Sequence, residues 1–415
     1  MEESRKKVSG TAIILLCSIV YFVSYFARKD FAAVLVSMKA QNIIDNEMGG
    51  FIGMGLFIAY GVGQLVSGYL GDRIKPKTLI IFGLATTALC NFLMPLIPNG
   101  ALMIPVWTLN GFAQAMLWPP IVRILADTLD GERFVTANLI VTAAAHISTI
   151  LLYVYAPIAI TYMDWQTVFY TASAVTLAVM IIFIVAMAKV TLSAPGERNA
   201  PPVSQNNDEG RHFISLFVKA GIIPIFFAII MMGFLRDGIE TWLPTLYSEA
   251  FNREPSESIL VSAIVPVFSI ISITSITAAH KTRLFSNEAR GAAILFGFAI
   301  LVCVPLAILI NYEQSLLRLL CLVLATLVCA AMHAVNFLYI SCLPRNFARY
   351  GRAATASGFC NACTYIGAAV SMYGIPAVAD KMGWSATVVT WIFIGAIGSI
   401  CSLLAFKKYT KFTTQ

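Results

Sequence analysis

The sequence predicts an all-α membrane protein with twelve transmembrane helices in two six-helix halves. Three observations carry that expectation. Hydrophobic residues make up 59% of the 415 residues and charged residues only 12%, with a mean hydropathy of +0.80. Apolar runs of bilayer length, roughly 20 residues each, recur along the whole chain. One long polar stretch, residues 191–212, rich in Pro, Asn, Ser and mixed charge, falls near the middle. A soluble chain of this size cannot bury so much apolar surface, and in lipid each run must be helical to satisfy its own backbone.

The runs fall at 9–37, 48–71, 78–97, 101–126, 134–160, 166–189, 214–245, 257–279, 290–311, 314–342, 350–378 and 384–406. The first is too long for a cleavable leader, carries Arg28-Lys29-Asp30 and lacks a small-residue cleavage pattern. The polar stretch reads as a flexible linker. The chain therefore divides into an N-terminal half (1–189), a cytoplasmic linker (190–213) and a C-terminal half (214–415). With both termini cytoplasmic, 20 of the 28 Lys and Arg lie on the cytoplasmic side. Only Lys39, Arg253, Arg318 and Lys381 lie outside, a strong positive-inside pattern. It accounts for the net charge of +7, so the basicity need not imply nucleic acid; no nucleic-acid partner is expected, and the surroundings expected are the lipid bilayer of the plasma (inner) membrane. The nine cysteines are scattered through the spans, and their odd number argues against a disulfide framework. The CxxC of Cys360 and Cys363 sits inside a span and reads as small residues for helix packing.

Two arginines stand where arginine is costly. Arg28 is in the first span and Arg236 in the seventh, and a charge at the bilayer centre costs about 2.5–3.5 kcal/mol. Their surroundings, Tyr25 to Phe31 and Gly233 to Ile239, share an aromatic, an arginine and an acid at like positions. A guanidinium offers a planar fork of donors that matches phosphate oxygens, and it stays charged at any working pH. Two forks from two halves can hold one anion. Polar stripes support a cavity beside them. Tyr21, Tyr25 and Arg28 recur at helical spacing, as do Tyr60 and Gln64, and Ser357, Asn361 and Tyr365. In the fifth span Asn138, Thr142, His146, Thr149 and Tyr153 form a further stripe. Lipid-facing helices do not carry such stripes, so they are expected to face a central cavity.

Each residue also has a plainer reading. The tyrosines can serve as interhelical partners or interface aromatics, and His146 as a packing histidine. His333 reads as structural. Arg28 can snorkel to the outer surface, and Arg236 can pair with Glu240 at i+4. Arg123, with Asp127 at i+4, reads as a gate or structural pair rather than a ligand.

Between the second and third spans stands Gly68-Tyr69-Leu70-Gly71-Asp72-Arg73-Ile74-Lys75-Pro76-Lys77. It resembles the loop signature of the major facilitator superfamily, whose halves are parallel repeats around a midplane site. The resemblance implies a gating role for Asp72, placed to accept from a helix N-terminus, and for Arg73. The matching loop of the second half, His280-Lys281-Thr282-Arg283, keeps only the positive charge. Tyr25 to Phe31, Gln114-Ala115-Met116-Leu117-Trp118-Pro119-Pro120 and Leu235 to Thr245 further resemble the organophosphate:phosphate antiporter family, which includes glycerol-3-phosphate and hexose-6-phosphate exchangers. That resemblance implies that Arg28 and Arg236 clasp the phosphate, with Tyr21, Tyr25, Tyr60, His146 and Tyr365 at binding-site positions. Lys29, Gln64 and Asn361 complete the candidate set. The chain departs from the family at Gln64, commonly lysine there, and at Asp30 and Asp237, commonly neutral. Those departures point to a less charged substrate, a different anion or a proton in the cycle, with Asp237 and Glu240 as candidate coupling groups.

The function expected is exchange of a phosphorylated metabolite for inorganic phosphate by alternating access in a monomer, with no enzymatic chemistry, cofactor or metal. No GxxxxGK[ST] occurs, so primary transport is not expected. Two alternatives stand beside it. One is a proton- or sodium-coupled organic-anion symporter that titrates Asp237, Glu240 or His146. The other is a transport-dead sugar-phosphate sensor.

Overall fold

The computed structural model describes residues 9–71, 74–129, 131–188, 213–280, 282, 284–350 and 352–414, and among these there is no strand. In the N-terminal half, α1 (Gly10–Ala40) turns through Asn42, a left-handed position that asparagine tolerates, into α2 (Asn46–Gly71). Proline opens α3 (Pro76–Leu93), where its missing N–H is no loss. Asn99 caps α4 (Gly100–Ala115) by accepting from the Ala101 N–H. That crossing breaks at Met116-Leu117 and resumes as α5 (Trp118–Thr128), because Pro119 and Pro120 cannot continue the ladder. The half ends with α6 (Gly131–Tyr162) and α7 (Gln166–Met187).

The C-terminal half begins with the short α8 (Phe213–Ala220), followed by α9 (Ile223–Phe251). One crossing is shared by α10 (Pro255–Ser262) and α11 (Ile264–Ala279). Next come α12 (Glu288–Leu309) and α13 (Ser315–Asn336), the latter continued by a π-helical turn, Phe337–Cys342, and a 3-10 stretch, Leu343–Tyr350. The last helix, α14 (Ala353–Thr414), is two crossings joined at Gly383, whose φ of 81° and ψ of 172° only glycine adopts readily.

The twelve expected crossings are all present. Among the described residues nine stretches qualify by length and apolarity alone, the last of them the doubled α14. Two crossings lack that signature for local reasons. The α4/α5 crossing is interrupted, and α9 carries Arg236, Asp237 and Glu240 close together. The outside of the bundle is apolar, with Leu15, Val185, Leu301, Phe393 and Leu404 all exposed, as lipid requires. Polar residues lie between the helices instead.

Small residues set the closest packing. A Cβ on Gly233 would strike the Thr364 carbonyl, and one on Gly367 the Ile230 carbonyl, so α9 and α14 lie backbone to backbone. The halves meet along α1 with α9 and along α2 with α14, where Phe51 stacks on Tyr373 at 5.0 Å. At one end they are tied by an ion pair of Lys39 with Glu249. Trp384 Nε1 donates to Glu249 Oε2 at 2.9 Å, and Asn46 Nδ2 to Asp380 Oδ1 at 2.5 Å. The linker placed at 190–213 falls almost wholly outside the described residues, as do Asp72 and Arg73. All nine cysteines are free, and Cys360 and Cys363 are buried among packed helices.

Candidate functional site

A cavity of about 300 Å³ lies between the halves. One wall is α1, α2, α6 and the α4/α5 break; the other is α9, α11, the α13 end and the first part of α14. The helical spacing that groups Tyr21, Tyr25 and Arg28 on one face of α1 delivers all three to it.

Arg28 sits among aromatic rings. Its guanidinium carbon is 4.1 Å from the Tyr25 ring centre and 5.0 Å from that of Tyr60. Tyr60 packs on Tyr365 at 4.5 Å, and Tyr21 on Tyr25 at 5.0 Å and on Trp118 at 4.8 Å. The rings supply cation–π attraction without neutralising the charge. Among the described residues no carboxylate pairs with Arg28, and its buried Nε has no hydrogen-bond partner.

Arg236, on the opposite wall, is held differently. One terminal nitrogen lies 2.6 Å from Asp237 Oδ2, and the other donates to Asn336 Oδ1 at 2.6 Å. Between the halves, Lys29 Nζ lies 3.1 Å from Glu240 Oε2, with side chains only 7% and 8% exposed. His146 of α6 meets His333 of α13 edge to face at 5.5 Å, another contact across the halves. With both histidines neutral, three lining cations face two lining carboxylates, an excess of one positive charge in a low-dielectric space.

The ten residues expected to bind substrate all line this cavity: Arg28, Lys29, Arg236, Tyr21, Tyr25, Tyr60, Gln64, His146, Tyr365 and Asn361. Asp237 and Glu240 line it as well. Gln64 is partly occupied, its Nε2 donating to the Ala115 carbonyl at 3.5 Å. Arg123 does not line the cavity; it sits on α5 with its Nε 3.8 Å from Asp127.

Three details differ from the expectation. Arg236 pairs with Asp237, not with Glu240, because Glu240 is drawn across the interface to Lys29. Asp30 does not join the cavity; it is fully buried on another side of α1. Of the fifth-span stripe only Thr142 and His146 reach the cavity. Asn138 and Thr149 donate to carbonyls of their own helix, and the Tyr153 hydroxyl to the Glu240 carbonyl at 3.5 Å.

The sequence reading missed Asn336, Trp118, Thr241 and Ser341, and read His333 as structural, although all five line the cavity. A signal existed for two of them. His333 and Asn336 stand three apart in an otherwise apolar run, the spacing of one helix face. Trp118 is placed by the break before Pro119, which periodicity does not foresee.

Two helical halves enclosing one buried, charged cavity define a membrane transporter, not an enzyme. Residues 17–371 match the Major Facilitator Superfamily, and the chain belongs to it. The chain is 24% identical over 409 residues to a glycerol-3-phosphate transporter of Bacillus subtilis, covering 93% of this chain and 88% of that one. It is 31% identical over 146 residues to a probable hexose phosphate transport protein of Chlamydia muridarum, about a third of either chain (35% and 32%). Over 113 residues it is 29% identical to the membrane sensor protein UhpC of Escherichia coli, covering 27% and 26%. In fold it is similar to a bacterial homolog of the human lysosomal transporter Spinster, inward-facing and unoccupied, with TM-score 0.76 at 12% identity over 99% of both chains. The nucleoside transporter NupG gives 0.73 at 14% identity, over 95% of this chain and 99% of that one.

Proposed function

We propose that this chain carries a small phosphorylated metabolite across the membrane in exchange for inorganic phosphate, by alternating access. The observation that carries the reading is Arg28, a half-buried guanidinium held by tyrosine rings and paired with no carboxylate among the described residues, in the same cavity as Arg236. A phosphoryl group between the two arginines would offset their repulsion and draw the walls together. The glycerol-3-phosphate and hexose phosphate proteins among the relatives support a phosphate ester. The cavity, at the small end of ligand sites, favours a compact one. Tyr25, Tyr60 and Tyr365 orient Arg28, Asn336 orients Arg236, and Lys29 opposes the anion from α1. Both termini lie in the cytoplasm of a plasma (inner) membrane, following the charge asymmetry, and Asp72 and Arg73 belong to the cytoplasmic gate.

The test is reconstitution into vesicles loaded with phosphate, with uptake of labelled phosphate measured for the parent, Arg28→Lys and Arg236→Lys. Lysine keeps the charge and loses the fork. Uptake should fall at least tenfold in each variant, and the parent rate in both would rule out the clasp. A thermal-shift screen against phosphate esters and carboxylates then narrows the metabolite, since a ligand bound only by the folded state raises its stability.

A further inference from the structure

Behind the cavity, the N-terminal half contains a buried carboxylate that the anion site does not use. Asp30 is 0% exposed. Its Oδ1 accepts from the Phe31 N–H at 2.8 Å, and its Oδ2 has no partner. One turn earlier, on the same side of α1, the Ala27 carbonyl accepts from Asn91 Nδ2 of α3 at 3.0 Å and from Asn110 Nδ2 of α4 at 3.2 Å. Both amide nitrogens are thereby committed, and Asn91 donates also to the Thr87 carbonyl at 2.9 Å. The Oδ1 atoms of Asn91 and Asn110 are then left without donors, and both residues are fully buried. This region thus has more acceptors than donors.

Nothing cationic corrects the imbalance. Among the described residues Asp30 takes part in no ion pair. On α1 itself, Arg28 and Lys29 face the cavity, as do His146 of α6 and Arg236, Asp237 and Glu240 of α9. Arg123 pairs with Asp127 on α5, and Glu257 of α10 with Arg253. Neither α4 nor α7 contains Asp, Glu, Lys, Arg or His. On α3 the only such residue is Lys77, about 20 Å of helix away from Asn91. Among the other titratable side chains of these helices, Lys39 pairs with Glu249, Cys17 and Cys90 are free buried thiols, the Tyr153 hydroxyl donates to the Glu240 carbonyl and that of Tyr155 is bonded to Thr171. An ionised carboxylate with a single backbone hydrogen bond and no countercharge is far more costly to bury than the neutral acid. One proton on Oδ2 removes the charge and turns an acceptor into the donor this region lacks.

We propose that Asp30 is a proton-binding site, loaded in this conformation and separate from the anion cavity, through which proton movement is coupled to anion transport. The proton adds to the Oδ2 lone pair from water, and its release restores the carboxylate. Coupling runs through α1, which carries Asp30 on one side and Arg28 and Lys29 on another, with Lys29 fastened to the opposite half at Glu240. Any shift of α1 against α3 and α4 loosens the Ala27 tether and opens Asp30 to water. The coupling part rests on the anion-transport reading; the proton site does not.

Two measurements test it on the purified full chain and Asp30→Asn, which keeps the shape of the neutral acid. The first is the infrared carbonyl stretch of a protonated carboxylic acid at neutral pH in lipid. The parent should show one such band that the variant lacks; absence from the parent, or persistence in the variant, overturns the proton site. The second is the ratio of labelled phosphate uptake into phosphate-loaded vesicles with and without an inward proton gradient. The ratio should exceed about threefold for the parent and fall to about one for Asp30→Asn, and equal ratios overturn the coupling. A parent that takes up no phosphate under any condition counts against the anion-transport reading instead, and the infrared measurement still decides Asp30.

Discussion

The two halves present an arginine to the same cavity in opposite ways. Arg28 is surrounded by tyrosine rings and meets no carboxylate among the described residues, whereas Arg236 is gripped by Asp237 and Asn336 at 2.6 Å each. The N-terminal arginine keeps its charge available; the C-terminal one is held in a fixed orientation with much of its charge already answered. If both hold one phosphate, Arg28 supplies the attraction and Arg236 the geometry. Two identical pairings would leave no excess charge, and two bare guanidinium groups would repel each other across the cavity. The asymmetry keeps the empty site stable while leaving one positive charge for the anion.

The sharpest way to break this comparison is Arg28→Ala. It should weaken phosphate binding by about 2–5 kcal/mol, the range for removing one partner of a buried charged pair. Arg236→Ala combined with Asp237→Asn should cost less, because it removes a guanidinium already answered by a carboxylate together with that carboxylate. Titration calorimetry with inorganic phosphate compares them, and equal losses would end the distinction. Next in size, Asp237→Asn should tighten phosphate by roughly 1.5–3 kcal/mol, the scale of a hydrogen bond to a charged group. Unchanged affinity would mean that Asp237 does not restrain Arg236. Tyr60→Leu, which deletes a ring over Arg28, should cost about 0.5–2 kcal/mol of phosphate affinity through lost cation–π contact. Tyr60→Phe should retain most of it, and a matching loss in the two variants would assign the effect to the hydroxyl. The smallest effect is expected from Gln64→Lys. It adds a cation to the cavity wall and should shift preference toward dianionic esters by about 1 kcal/mol or less. Competition between a phosphate monoester and a diester measures that shift.

Residues on one helix were the most legible. The Tyr21, Tyr25, Arg28 face of α1 and the Ser357, Asn361, Tyr365 face of α14 follow from spacing, and both reach the cavity. Contacts between helices were much less so. Asp30 and Asp237 look alike in the sequence, each one or two residues past an arginine. Asp237 turns back to Arg236, while Asp30 is buried between helices with no cation. A difference of one position is about 100° around a helix, enough to exchange a cavity for a core. Glu240 carried a reasonable intrahelical expectation that Lys29 of the other half overrode.

The sequence by itself determined the membrane class, the twelve crossings, the two halves and which side chains share a face, because hydropathy and helical period act within a single segment. It also marked the two arginines, since the cost of a charge in lipid does not depend on its neighbours. Tertiary structure decided which face meets which. It paired Lys29 with Glu240 across the halves, brought His333 to His146, supplied Asn336 to Arg236 and buried Asp30 with its Oδ2 unpartnered. Those outcomes depend on the rotation and approach of whole helices, fixed by contacts such as Gly233 against Thr364 and Gly367 against Ile230. No local period in the chain encodes them.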